Sequence, residues 1–270
     1  MRFSSLHLLF LLAVNWLAIN PVSAAPIFSE PFNYPADYGL AGQNGGTGFS
    51  GAWSGGNSSI VSGFSGVSSA VQVGNSTSSR SLSSSISTST GDIYIAYRVN
   101  VSNFNGGNYT GMSLWNDSTE EFFFGIPWAA KNFGFDAHAG NGSADIKSIN
   151  FTPTANTTYL IILGLVDSAT LGKVDIKLWA TSDLATSVST LVAGSANAQL
   201  LGVKNDFTFN KLNVAGDYSG SLKLGGLGSS STAAQAAALS LSSIPEPSTY
   251  GLVLGSLALI VASVRRRRTK

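Results

Sequence analysis

The chain has 270 residues, no cysteine and two histidines, and only 11% of it is charged. Without cysteine there can be no disulfide framework, thiolate metal site, thiol catalysis or iron–sulfur chemistry. Arg2, Arg265, Arg266, Arg267, Arg268 and Lys270 make up six of the 15 basic residues and Glu246 one of the 14 acidic ones, so the middle of the chain keeps nine basic against 13 acidic groups, a net charge of about −4, which argues against a nucleic-acid or other polyanionic partner.

At the N-terminus, Arg2 precedes an apolar run from Leu6 to Ile19, and Pro21-Val22-Ser23-Ala24 puts small residues at the −3 and −1 places of a cleavage site. Residues 1–24 therefore read as a signal peptide, cut by signal peptidase between Ala24 and Ala25. His7 goes with it. His138 is then the only imidazole of the mature protein, and any Ser-His-Asp triad would have to be built on it. Flanked by Ala137 and Ala139 next to Gly140, it reads as a loop residue.

Residues 25–228 are expected to form one all-β domain, an antiparallel β-sandwich, followed by a linker over 229–243. Gly42–Trp53 carries too many glycines for a regular element and must be loop or turn. The Ser/Thr-rich stretch Ser76–Thr90 reads either as an O-glycosylation target or as a weakly hydrophobic strand pair with a loop. In Ile93–Val101 the odd positions are all apolar or aromatic, which predicts a half-buried strand. Shorter runs at Met112–Trp115, Glu121–Ile126, Phe133–Ala137, Tyr159–Val166, Val174–Trp179, Phe207–Leu212 and Ser221–Leu224 are separated by Gly/Asn/Asp/Ser clusters, the spacing of a sandwich. Thr181–Lys204 is less strand-like and its topology stays open; Ala233–Ala238 reads as a brief helix or as part of the linker.

Glu30-Pro31-Phe32-Asn33-Tyr34 and the glycine-rich Gly42–Trp53, with Val174–Trp179 and Leu222–Gly225 downstream, resemble exported bacterial proteins with a concanavalin A-like (laminin-G-like) jelly roll. The resemblance implies that the first strand pairs with the last, and Phe32 and Leu222–Leu224 are the expected partners.

Such a fold raises the prospect of a glycoside hydrolase, which needs two carboxylates across a cleft. Adjacent Glu120 and Glu121 cannot both face one side of a strand, and the E-x-D-x-x-E pattern of related β-glucanases is absent. A non-catalytic protein is expected, with no catalytic residues assigned and no cofactor required. Asp206 and Asn210, in Asp-Phe-Thr-Phe-Asn, offer oxygen ligands of the kind lectins gather for Ca²⁺. Glycan binding would use exposed aromatics, for which Trp128 after Gly125-Ile126-Pro127 and Trp53 in its glycine loop are the candidates; strand alternation instead packs Trp179, opposite Ile176.

The C-terminus is the most specific signal. Pro245-Glu246-Pro247, the apolar run Tyr250–Val264 and the cluster Arg265, Arg266, Arg267 and Arg268 together resemble the PEP-CTERM sorting signal of Gram-negative bacteria, over residues 244–270. The resemblance implies an exported bacterial protein processed by an exosortase. Tyr250–Val264 would span about 22 Å as a helix against roughly 30 Å of hydrocarbon, so a transmembrane helix there suits a temporary inner-membrane anchor, with Arg265, Arg266, Arg267 and Arg268 as its cytoplasmic stop. The destination is the cell surface or extracellular matrix, with exopolysaccharide or another glycan as the expected partner. The alternatives are a glycoside hydrolase on the same fold and a purely structural matrix component.

Overall fold

The computed structural model describes residues 26–104, 109–128, 130, 132–140, 142–217 and 222–240. The expected signal peptide with its Ala24/Ala25 cleavage site lies outside the described residues. So does the tail, with Pro245-Glu246-Pro247, the apolar run 250–264 and the expected membrane stop of Arg265, Arg266, Arg267 and Arg268. Among the described residues no helix is long and apolar enough to cross a membrane.

In chain order the strands are β1 (Phe28–Glu30), β2 (Ser59–Ser62), β3 (Ser69–Gln72), β4 (Ser78–Ser87), β5 (Ile93–Val101), β6 (Thr110–Asn116) and β7 (Thr119–Ile126). Then come β8 (Gly134–Asp136), β9 (Ile146–Ser148), β10 (Thr158–Asp167), β11 (Lys173–Thr181), β12 (Ala198–Asn205), β13 (Thr208–Gly216) and β14 (Leu222–Ser230). Helix α1 (Val188–Ala193) sits between β11 and β12, and α2 (Ala233–Ser240) follows β14. The strands pair antiparallel into two sheets. One is ordered β12-β11-β10-β5-β14-β3-β2, with β1 also on β14; the other is β4-β13-β6-β7-β8-β9.

The core lies between the sheets. Alternation sends Ile93, Ile95, Tyr97 and Val99 of β5 and Ile161, Leu163 and Leu165 of β10 inward, to meet Met112, Leu114, Phe122, Phe124, Leu212 and Val214 of the smaller sheet. Aromatic rings supply much of the filling: Phe122 stacks on Phe135 at 5.6 Å and on Phe207 at 6.3 Å. β5 was expected to be half-buried, but Ala96 on its outer face is also fully buried. The cover is helical. Ala233, Ala236 and Ala237 of α2 form a second apolar cluster with Ala96, Leu160, Ile162 and Trp179, and Val188 and Leu191 of α1 pack against it. The segment expected as a linker thus completes β14 and forms a helix of the domain, which no longer ends at residue 228. Gly228 makes this close approach feasible, since a Cβ there would overlap the α2 backbone.

Other expectations change in detail. Ser76–Thr90 is neither a strand pair nor a loop: Ser78–Ser87 is one ten-residue strand, followed by a 3-10 turn over Thr88–Thr90 that Ser87 caps. Its low hydrophobicity fits an edge position, paired to β13 on one side and with its outward positions all serine. The open stretch 181–204 contains α1, capped by Ser187, and β12.

First and last strands do pair, though not through the expected residues: Phe28, Ser29 and Glu30 lie opposite Ser229, Gly228 and Leu227. Leu222–Leu224 pair with β5, and Phe32 lies beyond the strand at φ 50° with its side chain in the core.

The glycine-rich segment closes over this end. Glu30 is fully buried and ion-paired to Arg80 of β4. Its carboxylate also accepts from Trp53 Nε1 (2.9 Å), Tyr34 Oη (2.9 and 3.0 Å) and the Phe32 amide (3.0 Å). Arg80 donates to the Gly51 carbonyl (2.7 Å) and Asn44 Oδ1 (2.8 Å) and lies 4.2 Å over the Phe49 ring. Burial and the neighbouring Glu30 carboxylate push the Tyr34 phenol up, so it stays a donor. Gly46 at φ +69° carries the loop past β1, where a Cβ would overlap the Ser29 carbonyl oxygen. Trp53, expected to be exposed, is therefore 1% exposed: its indole N–H is needed by a buried carboxylate.

Candidate functional site

The outer face of the six-stranded sheet holds a cavity of about 170 Å³. Alternation brings Ser113 and Trp115 of β6, Phe123 of β7, Asp136 of β8 and Asn213 of β13 to its lining. Glu120 joins them through a break in register: Leu114 faces Phe122 but Trp115 faces Glu120, so Glu121 is the extra residue of a β-bulge. Without the bulge Glu121 would stand beside Trp115. As built, Glu120 lines this cavity, while Glu121 turns to another beside Lys204, with Oε2 3.5 Å from Nζ. The two glutamates do not share a site, and the bulge decides which of them faces the cavity.

His138 is placed by an Asx turn. β8 ends at Asp136, whose Oδ1 accepts from the His138 amide (3.0 Å), and His138 takes φ 47°. Its imidazole then stands between two carboxylates, with Nε2 3.5 Å from Glu120 Oε2 and Nδ1 3.6 Å from Asp136 Oδ1. The contact with Glu120, reinforced by Asp136, raises the His138 pKa against the opposing pull of partial burial and of Lys204.

The walls are aromatic. Trp115 is held by its own strand, donating Nε1 to Ser113 Oγ (2.7 Å). The Asn213 amide, oriented to donate to Ser79 Oγ, presents its oxygen to the same indole at 2.9 Å. Trp128, 57% exposed, leans on Tyr109 at 6.3 Å, and Tyr109 meets Phe123 edge-on at 5.7 Å. An exposed indole beside oriented polar groups is the arrangement that takes a sugar ring against its face.

Of the two tryptophans singled out from sequence, Trp128 is at the site and Trp53 is not. Trp115, Glu120, Asp136 and His138 were not grouped by sequence reasoning: they come from three strands and a turn, and the alternation of β6 alone hinted that Trp115 shares a face with Ser113. The calcium candidates are not brought to one site. Asp206 Oδ1 accepts from Thr88 Oγ1 (3.1 Å), whereas Asn210 exchanges hydrogen bonds with Asp117 (2.7 and 3.0 Å). Among the described residues no group of three or more His, Cys, Asp or Glu is arranged to hold a metal ion.

Residues 243–268 match the PEP-CTERM protein-sorting motif, which marks an exported protein sorted by exosortase. No curated protein matches the chain. Among solved structures it is similar to the Trypanosoma cruzi calreticulin globular domain (9% identity, TM-score 0.52), covering 82% of this chain and 93% of that one. It is also similar to the HCR/D-Sa-GBL1/C structure (12% identity, TM-score 0.50), covering 79% of this chain and 53% of that one. At such identities the likeness carries the fold alone, a jelly-roll β-sandwich of two antiparallel sheets.

Proposed function

We propose that this is a non-catalytic glycan-binding protein of the bacterial cell surface or extracellular matrix, which holds a sugar ring in the cavity lined by Trp115, Trp128 and Glu120. The observation that carries the proposal is Trp128: a large indole 57% exposed at the mouth of a cavity whose floor is already hydrogen-bonded. Tyr38 and Leu171 are more exposed still, but of the exposed large apolar residues described only Trp128 lines this cavity. Against hydrolysis stands His138, whose ring fills the space between Glu120 and Asp136, where a hydrolase must keep the anomeric carbon and its water. Export begins with signal peptidase cleavage between Ala24 and Ala25. The run 250–264 then acts as a temporary inner-membrane anchor stopped by Arg265, Arg266, Arg267 and Arg268, with Pro245-Glu246-Pro247 presented to the exosortase. The described residues end at Ser240 in α2, on the outer face of the eight-stranded sheet, opposite the face of the sandwich that holds the cavity.

A glycan array probed with the full-length protein, with reducing-sugar release from exopolysaccharide measured in parallel, tests this. Retention of a sugar class without release supports the proposal; release of reducing ends, or an empty array, overturns it.

A further inference from the structure

We propose that this cavity, taken as the glycan site, selects a sugar bearing a free ammonium group, an unacetylated amino sugar, over N-acetylated and carboxylated sugars. Its charge is the reason. Glu120 and Asp136 both line it, with side chains 31% and 22% exposed, and the single cationic group in the lining is His138, which titrates. The lysines nearby do not line it, although Lys204 acts on Asp136 and His138 from outside the lining. Lys204 Nζ faces Glu121 (3.5 Å) and the His138 carbonyl (3.3 Å) and lies 5.0 Å over Phe207; Lys211 Nζ donates to the Asp117 carbonyl and lies 5.6 Å over Trp115. No permanent cation therefore neutralises the two carboxylates from inside the cavity, and a uronic acid would enter against like charge.

The walls favour a cation for a second reason. Tyr109, Trp115 and Trp128 line it, and an ammonium over an indole gains from the ring quadrupole, most of all where water is partly excluded; Lys211 already lies over Trp115, so the exposed Trp128 is the indole left to take one. At about 170 Å³ the cavity lies below the roughly 300–1,000 Å³ of pockets that enclose a drug-sized ligand, so it suits one residue of a chain rather than the chain. An N-acetyl group would cover the nitrogen with an uncharged amide and bring a carbonyl oxygen towards two acceptor-only carboxylates.

Isothermal titration of the full-length protein at near-neutral pH, with a chitosan tetramer, N-acetylated chitotetraose and a glucuronate tetramer as probes, tests the selectivity. The wild type is expected to bind the chitosan tetramer at least about tenfold tighter than chitotetraose and to ignore the glucuronate. Glu120→Gln and Asp136→Asn, singly and together, should collapse the difference between the first two. Chitotetraose bound as tightly as chitosan and lost in Trp128→Ala would overturn the amine preference alone and leave the glycan site standing. Chitosan binding unchanged in the carboxylate variants would assign it to the overall negative charge of the domain and overturn the proposal. Failure of all three probes to bind would overturn the amine preference and leave the glycan site to the array, whereas binding indifferent to Trp128→Ala would take down the glycan site with it.

Discussion

Glu30 and Glu120 each stand beside a tryptophan and a nitrogen base, yet one is fully buried and the other is about a third exposed. Around Glu30 the partners Arg80, Trp53, Tyr34 and the Phe32 amide all donate to its carboxylate, and a permanent cation balances it. Around Glu120 the base is a titratable imidazole at 3.5 Å, and the indoles of Trp115 and Trp128 do not donate to it. The first arrangement spends every polar group on the fold. The second keeps carboxylate oxygens and ring faces for something else, and that difference separates a structural cluster from a binding one.

Breaking the closed cluster should show the largest effect. Arg80→Ala leaves a buried carboxylate unpaired and is expected to cost about 3–5 kcal/mol, whereas Glu120→Gln at the open cluster should cost about 1 kcal/mol or less. Chemical denaturation of both variants checks the contrast. Next in size is the loop that seals Glu30. Gly46→Ala forces a Cβ at φ +69° onto the Ser29 carbonyl and should cost about 3 kcal/mol; Gly140→Ala, at φ +90° but with open space around it, should cost about 1–2 kcal/mol.

At the open cluster the effects should move from stability to binding. Trp128→Ala, at a 57% exposed position, should change stability by about 0.5 kcal/mol or less but weaken glycan retention about tenfold or more, by thermal melting and array titration respectively. The smallest effect is the pH dependence of His138. The groups facing it are Glu120 from β7, Asp136 from β8 and Lys204 from β12: the two carboxylates, Glu120 first, raise its pKa, and Lys204 and partial burial oppose the rise without reversing it. Its contribution is fully present below the unfolded value of about 6.5 and is lost as pH rises through the higher folded value, by less than about 1 kcal/mol because the ring is solvent-screened. Melting temperatures of the wild type should therefore fall slightly across that window relative to His138→Asn.

Much of the sandwich was legible. β5 coincides with the alternating run Ile93–Val101, and the shorter runs from Met112 to Leu224 each lie on or beside a strand, because alternation is imposed locally by which face meets the core. The misses have nonlocal causes. Ser78–Ser87 forms a strand because β13 lies along it, and Trp53 is buried because Glu30, 23 residues earlier, needs its N–H. The site shows the same limit: Trp128 was readable as an exposed aromatic, but Glu120 reaches the cavity through a bulge visible only once β6 and β7 are paired, and His138 through an Asx turn at the end of β8.

The central claim is that the open cluster, and not the closed one, meets a sugar. The indole N–H signals of the mature protein report both at once. In a nitrogen–proton correlation spectrum, titration with the glycan retained on the array should shift Trp115 and Trp128 while Trp53, bonded to Glu30, and Trp179, bonded to the Gly194 carbonyl, stay in place. A saturating titration that leaves Trp115 and Trp128 unmoved would contradict the account.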